Sequence, residues 1–428
     1  MLVLRNVNYD GEILLRKAGL TTVILFTLIV FQSKALINVL GALAIFLSFG
    51  YILLYDRKIF RSNPYLLLFL VPFGIGFLFA FLSTTGAMGA LAFLTRFKFM
   101  LLILPLAVFV KEKQDLHLLL AAFTLSAVVA VGYGIWRGQE YSEFSGFLVI
   151  GRTADMMTVA FLSTLVYSTH SHFSLVTKAT IFKCFLLLIS ALFGWALLMS
   201  EMRGSWLGAS IGCVLLFVVL MIFHRKALIF IVAVVIVITS VVYFTNIGGV
   251  KSNISKINHQ VESMVDTEDN HSNNARLHLW RTGWDFSKQQ FIFGTGAKKS
   301  LNVFMEFFMQ QPEDYQKKYS LATQYAGNYH NSYLQIHIET GFIFILVYTS
   351  SLLYTLFIIM KNVKKVKFND QKYLLAAVIA SVAFMITQIF HSDLYHYGST
   401  AFYLVLFSGC YILNKNDPSV WMLKRSKI

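Results

Sequence analysis

The chain has 428 residues, 57% of them apolar and only 13% charged, whereas an ordinary soluble protein carries roughly a quarter charged residues. Forty phenylalanines and a mean hydropathy of +0.65 exclude a soluble globular protein, which needs polar side chains to cover its water-facing surface. The net charge of +15 fits either nucleic acid or positive loops on one side of a bilayer, so the placement of the charges decides.

The first apolar run follows Arg16-Lys17, and another begins straight after Lys34 with no small-residue cleavage pattern between them, so it reads as a retained span. A helix needs about 20 apolar residues to cross the ~30 Å hydrocarbon core. Runs of that kind lie near 18–33, 35–55, 65–84, 90–110, 116–136, 153–170, 180–200, 204–223, 227–246, 339–360, 373–390 and 398–414. These predict an all-α polytopic membrane protein with about twelve transmembrane helices. Pro72 and Pro105 fall inside the third and fourth runs, where neighbouring helices satisfy the freed carbonyls. Cys184, Cys213 and Cys410 all lie in apolar runs and build neither a disulfide framework nor a zinc site.

Of the 36 Lys and Arg residues, 21 fall in the N-terminus, the C-terminal tail and the loops around 56–61, 111–115, 171–183, 224–226 and 361–372. The short loops of the other parity hold four, Lys34, Arg137, Arg152 and Arg203. The positive-inside rule therefore puts both termini in the cytoplasm. Residues 1–246 hold the first nine spans, 247–338 form one large hydrophilic loop on the outer side, and 339–428 hold the last three spans and a cytoplasmic tail. Within the loop, a polar stretch from Lys251 to Asn274 precedes a helix that sets Leu277, Trp280, Trp284 and Phe291 on one face. Gly294-Thr295-Gly296 breaks that helix, and an apolar stretch from Leu301 to Met309 ends at Pro312. The pattern fits a lid lying on the outer membrane surface.

Chemistry-bearing residues from distant parts of the chain converge at that outer depth. They are Arg203 in the turn Glu201-Met202-Arg203, Arg152 at the start of span six, Tyr329-His330-Asn331 where the loop re-enters, and His391, Asp393 and His396 before span twelve. Charged groups at a membrane boundary carry a desolvation cost and so invite a functional reading. Arginine forks match phosphate oxygens, and a neutral histidine accepts a proton near neutral pH. The set suits a reaction with a diphosphate leaving group and a hydroxyl nucleophile. The plainer alternative is that Arg203, Arg152 and Arg276 snorkel to lipid phosphates or pair with Glu201, Asp155 and Asp269. Lys98, two residues after Arg96 inside span four, holds an anionic lipid or phosphate, or pairs with an acid such as Asp155. Sets such as His330, His337 and Glu339, or His391, Asp393 and His396, offer metal ligands, yet neither HExxH nor Asp-x-Asp occurs, and arginines supply the positive charge without a metal.

Met202-Arg203-Gly204-Ser205-Trp206-Leu207, Asn274-Ala275-Arg276-Leu277-His278-Leu279-Trp280, Gly294-Thr295-Gly296 and His330-Asn331-Ser332-Tyr333-Leu334-Gln335 with Glu339-Thr340-Gly341 resemble, in order and spacing, the bacterial O-antigen ligase and polymerase superfamily. The resemblance implies a GT-C-like glycosyltransferase of the Gram-negative inner membrane with a large periplasmic helical loop. Such a ligase moves O-antigen from undecaprenyl diphosphate onto a sugar hydroxyl of lipid A–core in lipopolysaccharide biosynthesis, with inversion and without metal, cofactor or nucleic acid. It also implies His330 as base, Arg203 and Arg276 as diphosphate ligands, Lys98 as a further basic residue and Asp393 as the acid before the last span, with Arg152, by its outer position, a further diphosphate candidate and Asn331 and Glu339 in support. Two features depart from the family pattern: Ile292-Phe293 stands where many members have a proline, and Arg152-Thr153-Ala154-Asp155 where Asn-Pro-Asn is frequent. An O-antigen polymerase using the same donor and a non-catalytic transporter of lipid-linked sugars are the alternatives.

Overall fold

A computed structural model describes residues 2–83, 85–138, 146–169, 178–223, 271–296, 300–324, 328–394 and 396–421. All regular structure among the described residues is helical. The bundle is built from α1 (Leu2–Leu28), α2 (Lys34–Leu54), α3 (Leu67–Leu82), α4 (Gly86–Phe97), α5 (Ile103–Phe109), α6 (Lys113–Gly138), α7 (Ile150–Thr169), α8 (Lys178–Met199) and α9 (Arg203–Phe223). After the lid helices α10 (His271–Ser287), α11 (Ser300–Met309) and α12 (Glu313–Lys318) come α13 (Ser332–Thr340), α14 (Phe342–Asn362), α15 (Phe368–Thr387) and α16 (Ser399–Asn416).

Eight described helices are long and apolar enough to cross a membrane: Lys34–Leu54, Pro64–Leu82, Gly86–Phe109, Lys113–Arg137, Thr180–Met199, Arg203–Ile222, Phe342–Lys365 and Phe368–Thr387. They coincide with spans two to five, seven, eight, ten and eleven. Helices also occupy the first, sixth and twelfth positions, and the ninth, 227–246, lies outside the described residues. The fourth span is not one straight helix. A 3-10 segment at Lys98–Leu102 separates α4 from α5, which contains Pro105, a residue without the N–H a continuous ladder needs. The tenth span starts only at Phe342, because Gly341 takes φ +83° and ends α13.

The helices that read weakest as membrane segments are the most enclosed. In α7 Thr153, Asp155, Thr158, Ser163, Thr164 and Ser168 are all buried, and α16 is buried along nearly its whole length. Both pack against α15, and α15 against α9. A helix wrapped by other helices needs no lipid-facing apolar surface, so its hydropathy falls.

The lid has its own small apolar core, with Leu279 and Phe286 of α10 against Phe304 and Phe308 of α11 and Leu334 and Ile338 of α13. Of the expected stripe, Leu277, Trp284 and Phe291 are 52%, 46% and 38% exposed and Trp280 is turned partly inward, and at a bilayer surface apolar residues suit either face. A main-chain clasp ties the lid to the bundle: Thr295 N–H donates to Ile338 O at 2.8 Å, Gly296 N–H to Glu339 O at 3.0 Å, and Phe342 N–H to Phe291 O at 2.8 Å. Gly294 and Gly296 hold φ +70° and +82°, and a Cβ on Gly296 would run into Thr85, so this turn requires glycine.

Candidate active site

His330 closes the lid just before α13. Its backbone sits at φ +47°, a left-handed conformation uncommon for a side-chain-bearing residue. The strain is held on both sides: His330 N–H donates to Asn328 Oδ1 at 2.9 Å, and Asn331 caps α13, its Oδ1 accepting from Leu334 N–H at 3.0 Å. Asn328 Oδ1 also accepts from Ser392 Oγ, which fastens the histidine loop to the turn between α15 and α16. Ser332 strengthens the joint, its N–H donating to Gln388 O at 2.9 Å and His391 O at 2.8 Å.

Arg276 and His391 face His330 closely enough to act on its charge. Burial first, then the positive charges of Arg276 and His391, lower the His330 pKa from the ordinary imidazole value. Arg276 is pushed down by burial and by Arg203, so the two arginines share one locality despite their 73-residue separation in sequence. Arg203 is the first residue of α9, whose unpaired N–H groups add positive potential. The structure thus groups three residues singled out by sequence, Arg203, Arg276 and His330, around one point.

A second layer stands behind them. Asp155 of α7 is fully buried and accepts from His391 Nδ1 at 2.7 Å, Ser205 Oγ at 2.8 Å and Gln388 Nε2 at 2.9 Å. Burial opposes charge on His391, but the Asp155 carboxylate outweighs it and raises the imidazole pKa. Arg152 does not pair with Asp155. One helical turn earlier on α7, it donates from Nε to Asp393 Oδ1 at 2.7 Å and lies 4.7 Å from the Tyr397 ring. Burial and the nearby Asp155 lift Asp393 to about 6, with Arg152 as the counterweight. His396, buried in the field of Arg152, Arg96 and Lys34, is pushed down to about 3.

Glu339 is buried on α13, where it accepts from Arg96 and, at 2.6 Å, from Gln335 Nε2. Gln335 Oε1 in turn accepts from Tyr329 N–H at 3.1 Å, so Arg96 reaches the residue next to His330 through the side chains of Glu339 and Gln335. Lys98 lies in the 3-10 segment with its ammonium 5.4 Å from the Phe99 ring, and Asp155, one partner considered for it, is occupied by the groups above. His337 turns into an aromatic pocket of Trp284, Phe291 and Phe342. Among the described residues no three His, Cys, Asp or Glu side chains are grouped to hold a metal ion. Asp269, expected as a possible partner for the arginines, lies outside the described residues.

Sequence reasoning overlooked Asp155 as a centre, together with Gln388, Ser205 and Arg96. One signal was available: an acid inside an otherwise apolar run must find a partner or a cavity.

Fold and site together define a polytopic, all-helical membrane protein with a lidded cluster of arginines and histidines at one end. Residues 186–349 match the family model described as O-antigen ligase, and over that stretch the resemblance to the ligase and polymerase superfamily holds. The matched stretch contains Arg203, Arg276, His330, Asn331 and Glu339 and stops short of His391 and Asp393. No curated protein matches the chain.

Proposed function

We propose that the protein is an O-antigen ligase that transfers a glycan from undecaprenyl diphosphate to a sugar hydroxyl of lipid A–core at the periplasmic face of the inner membrane. One observation carries this reading: His330, its pKa lowered so that it is neutral at neutral pH, stands beside two mutually close arginines under a lid. Neutral His330 takes the proton of the acceptor hydroxyl as that oxygen attacks the anomeric carbon. The bond from that carbon to the diphosphate oxygen breaks, and Arg203 and Arg276 stabilise the charge gathering on the leaving diphosphate. Displacement from the opposite side inverts the anomeric centre. Asn331 and Glu339 position His330, while Asp393 holds Arg152 at the rim.

The test is transfer from a defined lipid-linked donor to lipid A–core by purified protein. His330→Ala should lose the reaction while still inserting in the membrane, and normal transfer would remove the base assignment. A base must be neutral to act, so a lowered pKa keeps activity level as pH falls through 6.5 and delays the acid limb to lower pH. A limb centred above 6.5 contradicts the site. Acceptance of a second lipid-linked glycan in place of core would make the protein a polymerase. Cysteines introduced at 203, 276 and 330 should react with a periplasmic reagent, and reaction only from the cytoplasm would reverse the orientation.

A further inference from the structure

We propose that His391 is a third diphosphate ligand beside Arg203 and Arg276: with Nδ1 bonded to Asp155, it presents its Nε2–H as a cationic donor to a phosphate oxygen. This rests on the reading that the donor is a lipid diphosphate. Asp155 touches no substrate here and is a positioning residue.

The argument begins with charge balance. A fully buried carboxylate is tolerated only with a cation against it. The nearest arginine in sequence, Arg152, is committed to Asp393, so the cation on Asp155 is His391. Ser205 and Gln388 fill other acceptor positions of the same carboxylate and fix its plane, and the imidazole with it. The orientation follows from Gly204. A Cβ there would sit 2.8 Å from Phe390 Cβ and 3.2 Å from His391 Nε2, so the free ring nitrogen lies against the first turn of α9. Glycine keeps that approach open. At this spot the groups facing His391 are Asp155 from α7, Arg276 from the lid, His330 before α13 and Asp393 from its own turn, with Arg203 at the adjacent helix start. Asp155 holds the inner nitrogen, and the outer nitrogen lies against the helix that starts at Arg203, an arrangement that suits a bound anion.

The probe is a farnesyl-diphosphate-linked N-acetylglucosamine, whose phosphates are diesters and do not titrate between pH 6 and 8. Binding to the full chain in nanodiscs is measured at both pH values. For wild type, affinity should exceed that of Asp155→Asn at both, because the Asp155 carboxylate raises the imidazole pKa. Asp155→Asn keeps the shape but removes the anion that holds the proton, leaving burial and Arg276 against the charged ring, so it should bind roughly tenfold more weakly than wild type. His391→Gln should bind roughly 10- to 100-fold more weakly at both, the loss of one charge-assisted hydrogen bond, and raise the donor KM more than it lowers kcat. An Asp155→Asn that binds as tightly as wild type at both pH values, or an unchanged His391→Gln, would each overturn the proposal. Wild type that binds the probe but transfers glycan to no acceptor refutes the proposed function alone, with the binding arm still deciding His391. Failure of wild type to bind refutes both.

Discussion

The two ends of the bundle use the same kinds of ion pair for different purposes. Away from the lid, Lys113 pairs with Asp370, Lys111 with Asp56 at 3.4 Å, and Arg16 with Asp115 at 3.4 Å and Glu112 at 3.8 Å. The acids there are 11–65% exposed, and that of Lys111 is 26% exposed. At the lid end Glu339, Asp393 and Asp155 are 0%, 7% and 0% exposed, and each is matched to its own cation. Pairs whose acid keeps contact with water contribute little, whereas a buried pair costs desolvation to assemble and more to break. The lid end carries that cost to hold His330, Arg203 and Arg276 in one place, which is the arrangement expected of a preorganised charged site.

The contrast can be broken by measurement. The largest effect should come from His330→Ala, a loss of transfer of about 10²- to 10⁴-fold, the usual worth of a positioned base, read in the lipid A–core assay. Next comes Glu339→Ala, which strands Arg96 and Gln335 and should cost about 3–5 kcal/mol, seen as a sharply lower unfolding temperature in detergent. Gly296→Ala follows at about 1–3 kcal/mol, because a side chain must adopt a left-handed backbone while displacing Thr85. Smallest is Lys111→Ala at the opposite end, whose partner Asp56 is 26% exposed, expected within about 1 kcal/mol with transfer unchanged. A cost at Lys111 equal to that at Glu339 would erase the distinction between the ends.

Much of the architecture was legible from hydropathy, because lipid demands an apolar surface from every helix it touches. Legibility declined inward: α7 and α16 are shielded by neighbours and carry polar residues that lipid would not tolerate. Site residues were legible as types at one depth, as with Arg203, Arg276 and His330. Their partners were not. Arg152 with Asp393 and Arg96 with Glu339 are separated by 241 and 243 residues, and no local period links them. The α10 stripe shows the same limit. A spacing of seven identifies a face but does not say whether protein or lipid covers it.

The clasp at Gly294–Gly296 turns the lid helix into a lever. Its fulcrum lies beyond the C-terminal end of α10, and Arg276 lies 11 residues before that end, roughly 17 Å along the helical rise. A tilt of about 5° there moves the guanidinium by ~1.5 Å, enough to make or lose a hydrogen bond, while the fulcrum scarcely shifts. Trp280, whose Nε1–H donates to Tyr329 O at 2.9 Å, is the stop that sets the arm's resting angle against the histidine loop. Trp280 and Arg276 lie one turn apart on the same arm, so a shift at position 280 is carried to position 276 nearly unchanged.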